Sequence, residues 1–300
     1  MQSLGIASET LRLRLAPALG GSVLAFELHR GGVWLPLWRP TPPAPERANQ
    51  CASYVLAPYS NRIRDGRFSF EGRSYQLRHV ERDALHGDAH HRPWQIVETG
   101  ATRVRLRLET RSFPDFDFPF PFSVEASYAL EGVTLGARLV LTNQGASRMP
   151  AGLGFHPYFL RALDGGASEV ELETKLGGIY PGEPPVPMLP TGPPRPLPPE
   201  LDFSRSRPLE AVLDDCFSGW DGRARIAWPR SGVGATLEAS ARCRHLVIYS
   251  PAGQPFFAFE PVTNANDGFN LLARGGYDDG VVVLAPGEAL EAGFTLRITS

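Results

Sequence analysis

Cysteine is scarce in this chain of 300 residues, which carries only Cys51, Cys216 and Cys243. An odd number at wide spacing, without a paired motif, argues against a disulfide framework and for a reducing compartment with three buried free thiols. An excess of charge is also missing. With 32 acidic residues against 30 basic ones, no field of one sign exists to steer the chain onto nucleic acid or an anionic membrane. Nowhere do about 18 apolar residues run together. Met1-Gln2-Ser3-Leu4-Gly5-Ile6 lacks the basic segment, apolar run and cleavage site of a secretory leader. These absences predict a soluble cytoplasmic protein with a small or neutral partner; a monomer or homodimer is expected.

Sustained helical periodicity is lacking too, and 31 glycines with 29 prolines would interrupt most helices. What is present is strand. Arg103-Val104-Arg105-Leu106-Arg107-Leu108 alternates charged and apolar residues, as a strand with one wet face does. Phe68 to Leu77 reads as a hairpin turning at Glu71-Gly72. Similar runs cover Ser123 to Leu130, Val133 to Leu141, Ala235 to Ala239, His245 to Ser250, Val281 to Leu284 and Ala292 to Ile298. An all-β sandwich of many short strands follows. Pro181 to Pro199 is crowded with prolines, Pro185 among them, and is a linker or a stiff loop. The loop reading is preferred, giving one domain over 1–300, because candidate site residues lie on both sides. The aromatic run Phe113 to Phe122 reads as a packed lead-in to a strand.

Proton-transfer groups stand in three separated settings. Leu85-His86-Gly87 belongs to a cluster with Asp83, Asp88, His90, His91, Arg92, Pro93 and Trp94. Zinc or iron ligation is one reading of it, although the spacing matches no metal motif and His90 and His91 would diverge on an extended chain. In Gly154-Phe155-His156-Pro157-Tyr158-Phe159, proline holds His156 extended and aromatic neighbours favour a neutral imidazole. Glu260 of Phe259-Glu260-Pro261 follows an apolar strand, where burial would make it a usable base. The plain alternatives are a core histidine and a strand-end glutamate bonded to loop amides. Asn61 and Arg62, in a polar run leading into the hairpin, could fix hydroxyl or ring oxygens or form an ordinary surface turn. Asp214 and Asp215 diverge on an extended segment, so one could face a pocket and the other solvent.

Asn61-Arg62-Ile63, Leu85-His86-Gly87 with Arg92-Pro93-Trp94, the His156 stretch, Asp214-Asp215-Cys216-Phe217, and Phe259-Glu260-Pro261 with Asp267-Gly268-Phe269-Asn270 occur in the order seen in aldose 1-epimerases. The chain resembles that galactose mutarotase family over nearly its whole length. The resemblance implies a large antiparallel β-sandwich with few or no helices, and interconversion of the α and β anomers of a free monosaccharide. It implies Glu260 as general base, His156 as general acid and His86 assisting near the ring oxygen. Asn61, Arg62 and His86 would hold sugar oxygens and Asp214 would accept from hydroxyls, with no metal and no cofactor. One departure is visible: where some members carry a glutamine two residues before an aromatic, this chain has Val247 ahead of Tyr249. A hexose-6-phosphate 1-epimerase on the same fold would need a basic phosphate pocket, for which Arg62, Arg64 and Arg67 point in different directions. A non-catalytic sugar-binding module would need neither acid nor base. A metal-dependent hydrolase would draw on His86, Asp88 and His90 or His91.

Overall fold

The computed structural model describes residues 3–79, 83–184 and 186–300, so Met1, Gln2, Val80, Glu81, Arg82 and Pro185 lie outside the described residues. Its longest sheet is antiparallel and nine-stranded. In spatial order it runs Arg207–Pro208, Glu171–Thr174, Arg223–Trp228, Val233–Ala239, Ala289–Thr299, Thr134–Asn143, Phe122–Glu131, Arg103–Glu109 and Gln95–Thr99. Alternation decides which face is buried. Val104, Leu106 and Leu108 point inward, while Arg105 and Arg107 lie on the outer face against Glu98, Glu109 and Glu125. Such exposed pairs contribute little stability each.

A second, seven-stranded sheet is built from Gly178–Ile179, Leu213–Ser218, His245–Ser250, Phe256–Val262, Gly154–Phe155 and Val55–Leu56, with Tyr158–Leu160 also paired to Phe256–Val262. Aromatic side chains join the two sheets: Phe155 meets Phe294 edge-on at 5.0 Å between ring centroids, and Phe159 lies 6.4 Å from Trp228. One contiguous hydrophobic cluster extends from Ile6 to Ile298 and takes in the N-terminal four-stranded sheet. The all-β antiparallel expectation holds.

The local readings are met with some differences. The hairpin pairs Arg67–Phe70 with Arg73–Gln76, and both turn residues, Glu71 and Gly72, take positive φ as a two-residue turn requires. Phe118, Phe120 and Phe122 are buried in the expected lead-in to a strand. Trp94 is core, but the strand after it, Gln95–Thr99, is an exposed edge. The proline-crowded stretch contains a small hairpin, Gly182–Glu183 with Val186–Pro190, because a two-stranded edge tolerates missing N–H donors. A two-turn helix, Gly268–Arg274, forms where no helical period is legible; it is anchored by Phe269, packed on Tyr59 and Phe68. All three cysteines are buried and free. No helix among the described residues is long and apolar enough to cross a membrane.

Four buried histidines, His245 lowered by burial among them, give the fold a pH dependence. Burial pushes the pKa of His86 and His90 well below the ordinary 6.5 and that of His156 to about 3. Below pH 6.5 the unfolded chain therefore binds protons that the folded one refuses. Each histidine removes up to ~1.4 kcal/mol of stability per pH unit as pH falls through that window. Glu260, raised by burial, opposes them with one proton. Tm is expected to drop steadily from pH 7 to pH 5, and His90→Gln to flatten the slope. Calorimetric scans showing a constant Tm across that range would refute this.

Candidate active site

The floor of the site is the face of the second sheet turned away from the main core. Asp214 pairs with Tyr249 and Tyr249 with Ala258, while Cys216 pairs with Val247 and Val247 with Glu260. With a two-residue repeat, these six side chains share one face and Asp215, Ile248 and Phe259 take the other. Glu260 thus sits inside the strand Phe256–Val262, not after it, and is only 1% exposed. Among the described residues its carboxylate bonds no loop amide.

His156 is carried where the chain leaves Gly154–Phe155 and re-enters the sheet at Tyr158–Leu160. Its N–H donates to Tyr54 O at 3.0 Å, and Pro157 O accepts from Phe259 N–H at 3.3 Å. Tyr54 stacks on the imidazole at 4.6 Å and 22°, and Tyr158 lies 4.5 Å away. Nε2 of His156 is 3.1 Å from Oε1 of Glu260. His156 Nδ1 and Glu260 Oε2 are buried with no partner among the described residues. Burial is the main cause holding His156 down to about 3, with the Arg39 charge second. Burial, then the Asp214 charge, raises Glu260 well above a carboxylate's usual range against the pull of Arg62. Burial thus disfavours the charged form of each group, and the two face each other across the 3.1 Å contact.

His86 reaches the same point from a loop. It lies edge-on to His156 at 5.3 Å, and ligand atoms of His86, His156 and Glu260 fall within 4.8 Å of one another. Asn61 and His86, both at positive φ, are joined twice: His86 N–H donates to Asn61 O at 2.7 Å, and Asn61 N–H donates to His86 Nδ1 at 3.1 Å. Because Nδ1 is an acceptor, the proton of the neutral ring sits on Nε2. A metal-ligating histidine needs the opposite arrangement, its second nitrogen donating outward. The triad's spacing would admit a cation, but its hydrogen bonding does not fit one. Gly87 follows at φ +71, where any Cβ would collide with the Ala57 carbonyl oxygen.

Asn61 Oδ1 accepts from both the backbone N–H and the guanidinium of Arg62. The loop is held from the chain that leaves the strand bearing Glu260. Asn264 accepts from Ser60 N–H and donates to Ser60 O, while Asp267 accepts from Arg64 N–H and donates its own N–H to Arg62 O. Asp214 stands at the open rim; enclosure by the cleft walls raises its pKa, Arg62 lowers it and Asp215 adds to the rise.

The structure thus brings His86, His156 and Glu260 together, with Asn61 and Arg62 alongside and Asp214 across the floor. The rest of the histidine cluster serves other ends. Asp88 is committed to Arg92 at 2.7 Å and to Asp117 N–H at 3.0 Å. His90 and His91 belong to a 3-10 turn with rings 3.9 Å apart, so they do not diverge as on an extended chain. Tyr54 and Arg39 escaped the sequence reading. Tyr54 lies in a run indistinguishable from a buried strand, and Arg39 follows one with no polar company.

The aldose 1-epimerase family profile matches residues 14–297. The uncharacterized protein YphB of Escherichia coli K12 is 32% identical over 93% of this chain and 96% of its own length. A crystal structure from Escherichia coli K12, described there only provisionally as an aldose 1-epimerase, superposes with a TM-score of 0.84 at 28% identity over 99% of both chains. The GalM/aldose epimerase homologue from C. elegans shares the fold, with a TM-score of 0.81 at 19% identity over 99% of this chain and 98% of that one. With its profile match nearly end to end and a full-length relative above 30% identity, this chain belongs to the aldose 1-epimerase family.

Proposed function

We propose that the protein is an isomerase interconverting the α and β anomers of a free hexose, such as glucose or galactose, by general acid–base ring opening and closure. The observation that carries this reading is the buried His156–Glu260 contact at 3.1 Å, with one carboxylate oxygen left without a partner.

Opening a hemiacetal ring requires removal of the O1 proton and delivery of a proton to O5. The pair reacts as carboxylate and imidazolium: Glu260 takes the O1 proton while His156 gives its proton to O5. The C1–O5 bond breaks and an aldehyde forms. The pair ends as carboxylic acid and neutral imidazole, so its proton count is unchanged. Rotation about C1–C2 and the reverse transfers close the ring on either face. Burial by itself favours the uncharged form of the pair; sugar hydroxyls donating to Oε2 and the nearby Arg62 charge favour the ionised one.

His86 cannot supply the proton to O5. Its Nε2–H belongs to a neutral ring whose other nitrogen is already an acceptor, and losing it would leave an imidazolate. Donation of a hydrogen bond to a sugar oxygen suits it, beside Asn61 and Arg62. Asp214, on the Glu260 face, accepts from hydroxyls. Val247 lies level with Glu260, so no polar side chain contacts the sugar from that position. No cofactor takes part. A sugar-binding module without turnover gains nothing from burying two proton-transfer groups against each other, which costs stability.

Polarimetry of freshly dissolved α-glucose, α-galactose and glucose 6-phosphate tests the reading, with acceleration expected for at least one free hexose; no acceleration for any of the three would sink it. Glu260→Gln is expected to lower kcat by about 10²–10⁴-fold without loss of the folded state by circular dichroism. Asp214→Asn should raise KM well above that of Asp215→Asn, since only Asp214 shares the face of Glu260. Equal effects of the two substitutions would reverse the assignment.

A further inference from the structure

Arg39 lies outside the substrate cleft yet is tied to the catalytic pair through Tyr158. Its backbone N–H donates to Tyr158 O at 2.7 Å, next to the bridge between Trp38 and Phe159. Its guanidinium lies 3.7 Å from the centre of the Tyr158 ring and 4.6 Å from that of Phe256. Nη2 donates to Asn49 O at 2.7 Å and Cys51 O at 2.6 Å, both neutral carbonyls, and Nε is buried without a partner. A half-buried guanidinium satisfied only by carbonyls and ring faces keeps its whole positive charge. The His156 ring also packs on Tyr158, at 4.5 Å between ring centroids.

We propose that Arg39 is a positioning residue for His156, locking the aromatic clamp around the imidazole and presenting an uncompensated positive charge to it. The inference rests on the acid–base reading of the His156–Glu260 pair. The groups facing His156 are Tyr54 and Tyr158 above and beside it, His86 and His90 from the loop, Glu260 from the neighbouring strand, and Arg39 behind Tyr158. Of these, only Arg39 carries a permanent charge. It opposes the imidazolium, so the acid formed during turnover is strong and gives up its proton readily to a weak base such as a ring oxygen. Tyr158 transmits the restraint: its ring packs against both the guanidinium and the imidazole.

The test uses Arg39→Gln, which retains donors for the two carbonyls, Arg39→Met as a second neutral variant, and Arg39→Lys, which keeps the charge but loses the planar stack. Imidazole nitrogen NMR follows protonation of His156, and polarimetry follows kcat and KM against pH. Both neutral variants are expected to protonate His156 about one pH unit higher than wild type. The acid limb of kcat/KM should move by the same amount, with KM changed less than twofold, and Arg39→Lys should stay near wild type in the titration. A folded neutral variant whose His156 titration and acid limb do not move would overturn the proposal. A shifted titration in a protein that accelerates no mutarotation would instead uphold it and count against the proposed function.

Discussion

The site depends on one electrostatic constraint: an acid and a base are held against each other with little exposure to solvent. Largely removed from solvent, Glu260 and His156 each resist charge, and they face each other across 3.1 Å. A buried ionisable pair of this kind survives only if the surrounding chain fixes both partners, since a lateral slip would leave an unpaired polar group in a low-dielectric interior. Much of the local architecture answers that demand. The glutamate is placed in the middle of a strand, where backbone pairing on both sides limits its movement. The histidine stands at a break between two short strands, with its backbone and ring both fastened to Tyr54.

The two sheets divide the labour. The inner faces meet through Phe155, Phe294, Phe159 and Trp228 and supply the cohesive interior. The other face of the second sheet carries Asp214, Val247 and Glu260 beside a smaller buried cluster of its own that includes Tyr54, Tyr158, Cys216 and Ala258. Pleating alone separates the two roles, because neighbouring residues in one strand face opposite ways. Phe259 is core and Glu260 chemistry, one residue apart. The rim is assembled from loops that meet this rigid floor, which suits groups that must hold geometry while water is displaced.

Much of this was legible in the sequence, for identifiable reasons. Period-two alternation marked Arg103–Glu109 and the hairpin at Glu71-Gly72 because each has one wet face. His156 was marked by the proline after it and Glu260 by the apolar run before it. The hairpin inside the proline-crowded stretch and the helix Gly268–Arg274 were hidden, the first because proline argues against strand, the second because two turns are too short to show a period. Tyr54, Arg39 and Asn264 were hidden for a different reason. Their roles consist of contacts with residues far along the chain, such as Ser60 with Asn264, and no local pattern encodes a distant partner.

Those distant hydrogen bonds also bear on how the protein can change. The loop bearing Asn61 and Arg62 is fastened through Asn264 and Asp267 to the chain leaving the Glu260 strand, and Gly152 makes room, since a Cβ there would collide with the Asn264 side chain. Three segments, around residues 60, 152 and 264, therefore behave as one inheritable unit. An attempt to retune sugar preference by transplanting the first loop from a relative would import the recognition groups without their foundations. Recombination that respects this boundary must move all three together.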